Sequence, residues 1–110
     1  MKLLSIVFSF KNEEKNLKEL IERTAKSLSE LPRWKYEMIF VNDYSSDKSE
    51  EILLELQKKY PITIINMSRN FGVGPCVLAG FKQAKGNAII YIDSDLQDPP
   101  EIITELVKEH

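Results

Sequence analysis

The chain has 110 residues, 43% of them apolar and 29% charged, which is the make-up of one ordinary globular domain and not of a disordered or collagen-like chain. A chain of this size buries roughly two thirds of the surface its unfolded form exposes, enough for one core and a binding half-site but not for a second lobe. The 15 Lys and Arg are set against 17 Asp and Glu, for a net charge of −2, and no long basic run tracks a phosphate backbone, so nucleic acid is not the expected partner.

Cys76 is the only cysteine and His110 the only histidine, which excludes an internal disulfide and a Cys/His zinc site. Cys76 is expected to be a small buried hydrophobe. The apolar start of the chain resembles a signal peptide but stops at Lys11-Asn12-Glu13-Glu14 without a small-residue cleavage pattern. No run approaches the ~18 apolar residues of a membrane span, so these residues are expected to be cytoplasmic.

Taken in chain order, nearly continuous apolar runs at 3–8, 38–41, 62–65 and 88–92 read as strands covered on both faces. Leu17, Leu20, Ile21, Thr24, Leu28 and Leu31 recur at helix spacing after the first run, and Ile52, Leu53, Leu56 and Tyr60 after the second. Val77, Leu78 and Phe81 form a third stripe. Ile102, Ile103, Leu106 and Val107 form a fourth behind Pro99-Pro100, where proline suits a first helical turn. The expected order is βαβαβαβα, an α/β, Rossmann-like, doubly wound parallel sheet without repeat or linker. The fourth helix is followed by no further strand, so we expect the first half of a longer enzyme, with an open edge that takes a partner strand or a second copy.

Ligands of open parallel sheets bind beyond the carboxyl ends of the strands, and those ends are polar here. Asp93 and Asp95 are two apart in extended chain, so both carboxylates face one side and offer hard oxygen ligands to Mg2+ or Mn2+. The same pair also reads as a solvated acidic turn with Asp98 as a helix cap. In Asn42-Asp43-Tyr44-Ser45-Ser46-Asp47, Ser46 and Asp47 read as caps. Asp43, directly after its strand, is free to accept a ligand's ring N–H. Glu13 and Glu14 suit the positive end of the first helix, and Arg69 reads as a phosphate contact or a surface residue. Neither a G-x-x-x-x-G-K-[ST] loop nor a dinucleotide G-x-G-x-x-G is present, so phosphoryl charge falls to a metal.

Asp93-Ser94-Asp95-Leu96-Gln97-Asp98-Pro99-Pro100-Glu101, with Val41-Asn42-Asp43-Tyr44-Ser45-Ser46-Asp47 and Ser68-Arg69-Asn70-Phe71-Gly72, resembles a family-2 glycosyltransferase of the polyprenyl-phosphate type, over essentially the whole chain. The resemblance implies the N-terminal, nucleotide-sugar-binding half of a GT-A domain. It implies that Asp93 and Asp95 are the D-x-D pair holding the metal and the diphosphate, with Asp95 catalytic and Ser94 and Gln97 adjoining, and that Asp43 binds the base. The family's first-strand Pro-x-Tyr-Asn-Glu is Ser9-Phe10-Lys11-Asn12-Glu13 here. Asn12 and Glu13 match as donor-binding residues, whereas Ser9 and Lys11 occupy donor-site positions with other chemistry. Lys11 removes an aromatic surface for the base, Asn42 replaces the first acid of the Asp-Asp pair, and Val73-Gly74-Pro75-Cys76 replaces a charged pair.

The implied reaction is a single inverting displacement in which a polyprenyl phosphate attacks the donor sugar. Acceptor-binding segments and membrane contact lie outside these residues, the complete enzyme acting at the cytoplasmic face of the membrane. The isolated chain is accordingly expected to bind nucleotide weakly without turnover. A D-x-D phosphohydrolase fits poorly because its motif belongs on the first strand. A phospho-accepting regulatory domain fails because Asn66-Met67-Ser68-Arg69 stands where it needs an Asp. A nucleotide-binding or self-associating module without transferase activity is the alternative.

Overall fold

The computed structural model describes residues 2–94 and 99–108. The expected order is found: β1 (Lys2–Phe10), α1 (Leu17–Leu28), β2 (Trp34–Asn42), α2 (Ser49–Leu56), β3 (Ile62–Asn66), α3 (Val73–Gln83), β4 (Ala88–Tyr91) and α4 (Ile102–Lys108). The strands form one parallel sheet of order β3-β2-β1-β4.

Strand pleating divides the core. Leu4, Ile6, Phe8 and Phe10 of β1 and Met38 and Phe40 of β2 share one face with Leu17, Leu20 and Ile21 of α1, Leu53 of α2, and Ile103 and Val107 of α4. Val7, Ile39 and Val41 point the other way and meet Cys76 of α3. Helices thus cover both faces, and the doubly wound expectation holds. Arg23 of α1 pairs with Glu101, just before α4, at 2.6 Å, an exposed pair that contributes little.

Three local expectations are corrected. β2 starts at Trp34, four residues before its apolar run, because Lys2 to Ser5 of β1 pair with Trp34 to Glu37. Tyr60 lies beyond α2 and reaches the core from the connection to β3. On α3 the Val77, Leu78 and Phe81 stripe is not the packed face: Leu78 and Phe81 are exposed, while Cys76 and Gly80, one turn apart, are buried.

Close approach is the reason. A Cβ at Gly80 would overlap the side chain of Val7 and lie 3.3 Å from Val41, so only a helix with small residues on this face can sit on the sheet. Gly80→Ala should therefore cost about 1–3 kcal/mol despite its better helix propensity, because buried, β-branched Val7 cannot turn away. Gly74→Ala, where a Cβ meets nothing within 4 Å beyond its chain neighbours, should cost less than Gly80→Ala, its gain in helix propensity being opposed only by crowding from Pro75, which disfavours helical geometry in the residue before it. Urea midpoints of the two variants decide it, and equal midpoints would contradict the close contact.

Candidate functional site

From β1 the chain steps outward through β2 to β3, then crosses back to place β4 on the other side of β1. Strand order therefore reverses between β1 and β4, the position where open parallel sheets place their ligand crevice. A cleft of about 260 Å³ opens there, lined by Ser9, Phe10, Lys11, Glu13, Asp43, Val73, Tyr91, Asp93 and Ser94.

The β1–α1 loop is fixed against the β2–α2 loop. Asn12 adopts φ 55°, in the left-handed region, which asparagine tolerates better than most residues. Its amide donates to Ser45 Oγ (2.9 Å), and its Oδ1 accepts from the Ser46 and Asp47 amides (2.8 and 3.3 Å). The Glu13 amide donates to Ser49 Oγ (3.0 Å), and the Glu13 carboxylate accepts from Asn16 at the head of α1 (2.8 Å). Asn12 is thus a strut beside the cleft, with its oxygen committed to the neighbouring loop, whereas Glu13 both supports α1 and lines the cleft. Of the two expected caps on α2 only Asp47 acts, accepting the Ser49 amide (2.9 Å); Ser46 is drawn to Asn12 instead.

Asp43 follows β2 as expected, yet its carboxylate is not a free acceptor. It is 7% exposed and accepts the amides of Phe71 (Oδ1, 2.7 Å) and Gly72 (Oδ2, 3.0 Å). Gly72 has φ 90°, the turn into α3 that a side chain would strain. In the amide orientation that satisfies its neighbours, Asn70 donates to Asp43 Oδ2 (2.7 Å) and accepts from Lys11 Nζ (3.0 Å). Asp43 therefore latches the end of the β3–α3 loop and, through Asn70, is linked to the Lys11 ammonium in the cleft lining. Arg69 lies over the Phe71 ring, 4.7 Å from its centroid. Cys76 is buried as expected, and burial, reinforced by Asp43, pushes its thiol up to about 11, so it stays protonated and unreactive near neutrality.

On the β4 side, Ser94 Oγ donates to the carbonyl of Ser9 (2.9 Å), which ties the two strand ends together. Ser9 Oγ meets Tyr91 Oη at 2.9 Å, and Tyr91 Oη donates to Asp93 Oδ1, also at 2.9 Å. Burial foremost, opposed by the Ser9 hydrogen bond and reinforced by Asp93, raises the Tyr91 phenol above its ordinary value. Tyr91 was not singled out by sequence, where it sits inside an apolar run. The signal was a phenol two residues before Asp93, hence on the same side of an extended chain.

The cleft thus brings together Ser9, Lys11, Glu13, Asp43, Asp93 and Ser94, with Asn12 beside them; Asp95 and Gln97 lie outside the described residues. Among the described residues no three His, Cys, Asp or Glu side chains form a metal cluster. The side-chain chemistry still fits Mg2+ or Mn2+: Asp93 is exposed and carries hard carboxylate oxygens of the kind these ions take, and Glu13, Asp43 and Asp93 outnumber Lys11 in the lining.

Residues 5–110 match the family model for glycosyl transferase family 2. An undecaprenyl-phosphate 4-deoxy-4-formamido-L-arabinose transferase of Photorhabdus laumondii is 44% identical over 110 residues, covering 98% of this chain and 34% of that protein. A dolichol-phosphate mannosyltransferase of Pyrococcus furiosus is 37% identical over 105 residues, 96% of this chain and 29% of its own length. The chain thus spans about a third of these relatives. A mannosyltransferase from Pyrobaculum calidifontis, solved with GDP-Man and Mn2+, superposes with a TM-score of 0.81 over 96% of this chain and 31% of its own, at 16% identity. That likeness establishes the shared GT-A architecture. With a family match from Ser5 to the last residue and the same sheet beneath it, the chain belongs to glycosyl transferase family 2.

Proposed function

We propose that residues 1–110 are the donor-binding half of an inverting glycosyltransferase that moves a sugar from a UDP- or GDP-sugar to a polyprenyl phosphate at the cytoplasmic face of a membrane. The observation that carries this reading is the convergence of Asp93, Ser94, Ser9 and Lys11 on one acidic cleft at the point where strand order reverses. The names of the Photorhabdus and Pyrococcus relatives support a polyprenyl phosphate acceptor.

Asp93, with Asp95, would hold Mg2+ or Mn2+, which supplies neutralisation of the diphosphate leaving group. Lys11, which lines the cleft and is steadied by Asn70, would add a second positive charge for that diphosphate. The β3–α3 loop is pinned by Asp43, and Val73 at the start of α3 borders the cleft. In the displacement a phosphate oxygen of the lipid forms the bond to the anomeric carbon as the bond from that carbon to the nucleoside diphosphate breaks. The attacking phosphate is already ionised near neutrality, so the chain needs no strong general base.

Equilibrium dialysis of radiolabelled UDP-glucose and GDP-mannose against the chain, with Mn2+ and a short polyprenyl phosphate, tests the reading. One donor should be retained at micromolar to millimolar concentration, without transfer. Retention of neither donor would contradict a donor site, and product formation would contradict its being half of one.

A further inference from the structure

We propose that Tyr91 is a positioning residue that aims the Asp93 carboxylate into the cleft, with Ser9 orienting Tyr91 in turn. This rests on the donor-site reading and assigns to it a side chain that the motifs do not contain. β4 ends at Tyr91, and the Ile92 amide makes the next tie to β1, donating to the Val7 carbonyl at 3.1 Å. Ser94 is the tie that follows, through its side chain to the Ser9 carbonyl. Asp93 stands between these two anchors, is exposed, and has no backbone hydrogen bond among the described residues. Its carboxylate is held by Tyr91 Oη alone among the described residues, at Oδ1.

The phenol suits this task because its own position is fixed twice. Its ring packs against the cluster of Val7, Ile39, Val41 and Cys76, and its oxygen is held by Ser9. One hydroxyl carries one proton, so with Tyr91 donating to Asp93 the Ser9 hydroxyl must donate to Tyr91. A one-way chain runs from Ser9 through Tyr91 to the carboxylate, and each bond in it polarises the next. Oδ1 is thereby occupied, and Oδ2 has no hydrogen-bond partner among the described residues. An exposed aspartate otherwise samples several rotamers, and arresting it before the cation arrives removes that ordering from the binding step. Residues that orient a metal ligand in this way typically change affinity ~10-fold or more when removed.

The test is Mn2+ binding by the 110-residue chain in the presence of UDP or GDP, read from loss of the free-ion paramagnetic resonance signal. Tyr91→Phe keeps the packed ring and should bind Mn2+ about 10-fold more weakly. Ser9→Ala, which removes only the orienting hydroxyl, should lose about 3-fold, less than the ~10-fold of a direct orienter. Uridine or guanosine, which carries no phosphate to meet the metal, should bind Tyr91→Phe as it binds the unaltered chain. Unchanged Mn2+ affinity in a folded Tyr91→Phe would overturn the proposal, as would an equal loss for the bare nucleoside, which marks a direct ligand contact. Absence of Mn2+-nucleotide binding by the unaltered chain would instead remove the donor site itself, and this role with it.

Discussion

Asp43→Ala should lower stability by about 2–4 kcal/mol and release the end of the β3–α3 loop. The substitution removes the acceptor of two backbone amides, Phe71 and Gly72, at a residue 7% exposed. Hydrogen bonds to a charged group contribute about 1.5–3 kcal/mol each, and water can replace part of that because Phe71 is itself exposed. Asp43→Asn keeps one carbonyl acceptor but turns an NH2 toward the other amide, so it should recover less than half of the loss. The urea midpoint reads the global term. Hydrogen exchange at the Phe71 and Gly72 amides reads the local one, and should accelerate even if the rest of the sheet stays closed. Slow exchange at both amides in Asp43→Ala would mean that the loop is held by something other than this carboxylate.

Phe40→Ala should be more costly still, about 3–5 kcal/mol, out of the roughly 5–15 kcal/mol that hold a domain of this size together. Phe40 is fully buried at the centre of the sheet, stacked on Phe8 with centroids 4.5 Å apart and edge-on to Phe10 at 6.1 Å. The loss combines the ring's transfer to water with a cavity that strands on either side cannot close, since β2 is paired along both edges. Phe40→Leu leaves a smaller void and should cost about 1–2 kcal/mol, toward the tolerated end of apolar exchanges. Chemical denaturation of both variants checks the order, and a Phe40→Ala loss under ~1 kcal/mol would show that the centre of the sheet repacks.

The four strands were legible from their apolar runs: β1 and the second half of β2 are buried on both faces, while β3 and β4, at the two edges of the sheet, are only partly covered yet keep enough apolar residues to be read. What escaped depends on contacts between distant residues. The first four residues of β2 carry no apolar run and are strand only because β1 is long enough to pair with them. The packed face of α3 was invisible to a search for large apolar residues, since the sheet is approached through Cys76 and Gly80. Within the cleft, the clustering of Ser9, Lys11, Glu13, Asp43, Asp93 and Ser94 follows from strand ends and motifs that sequence carries. The work done by Asp43 does not: its partners Phe71 and Gly72 lie 28 and 29 positions away and meet it only when β3 and α3 are in place. Asn12 likewise reads as a ligand contact in sequence and as a strut in the fold, because the loop it braces comes from 34 positions on.

Calorimetric titration of UDP and GDP, with and without Mn2+, into the chain and into Asp93→Asn tests the central claim most directly. One nucleotide should bind detectably only with Mn2+, and Asp93→Asn, which keeps the hydrogen bond from Tyr91 but loses the ligand charge, should abolish that Mn2+-dependent heat. Nucleotide binding of equal strength with and without Mn2+, or unchanged in Asp93→Asn, would contradict a metal-assisted donor site at this cleft.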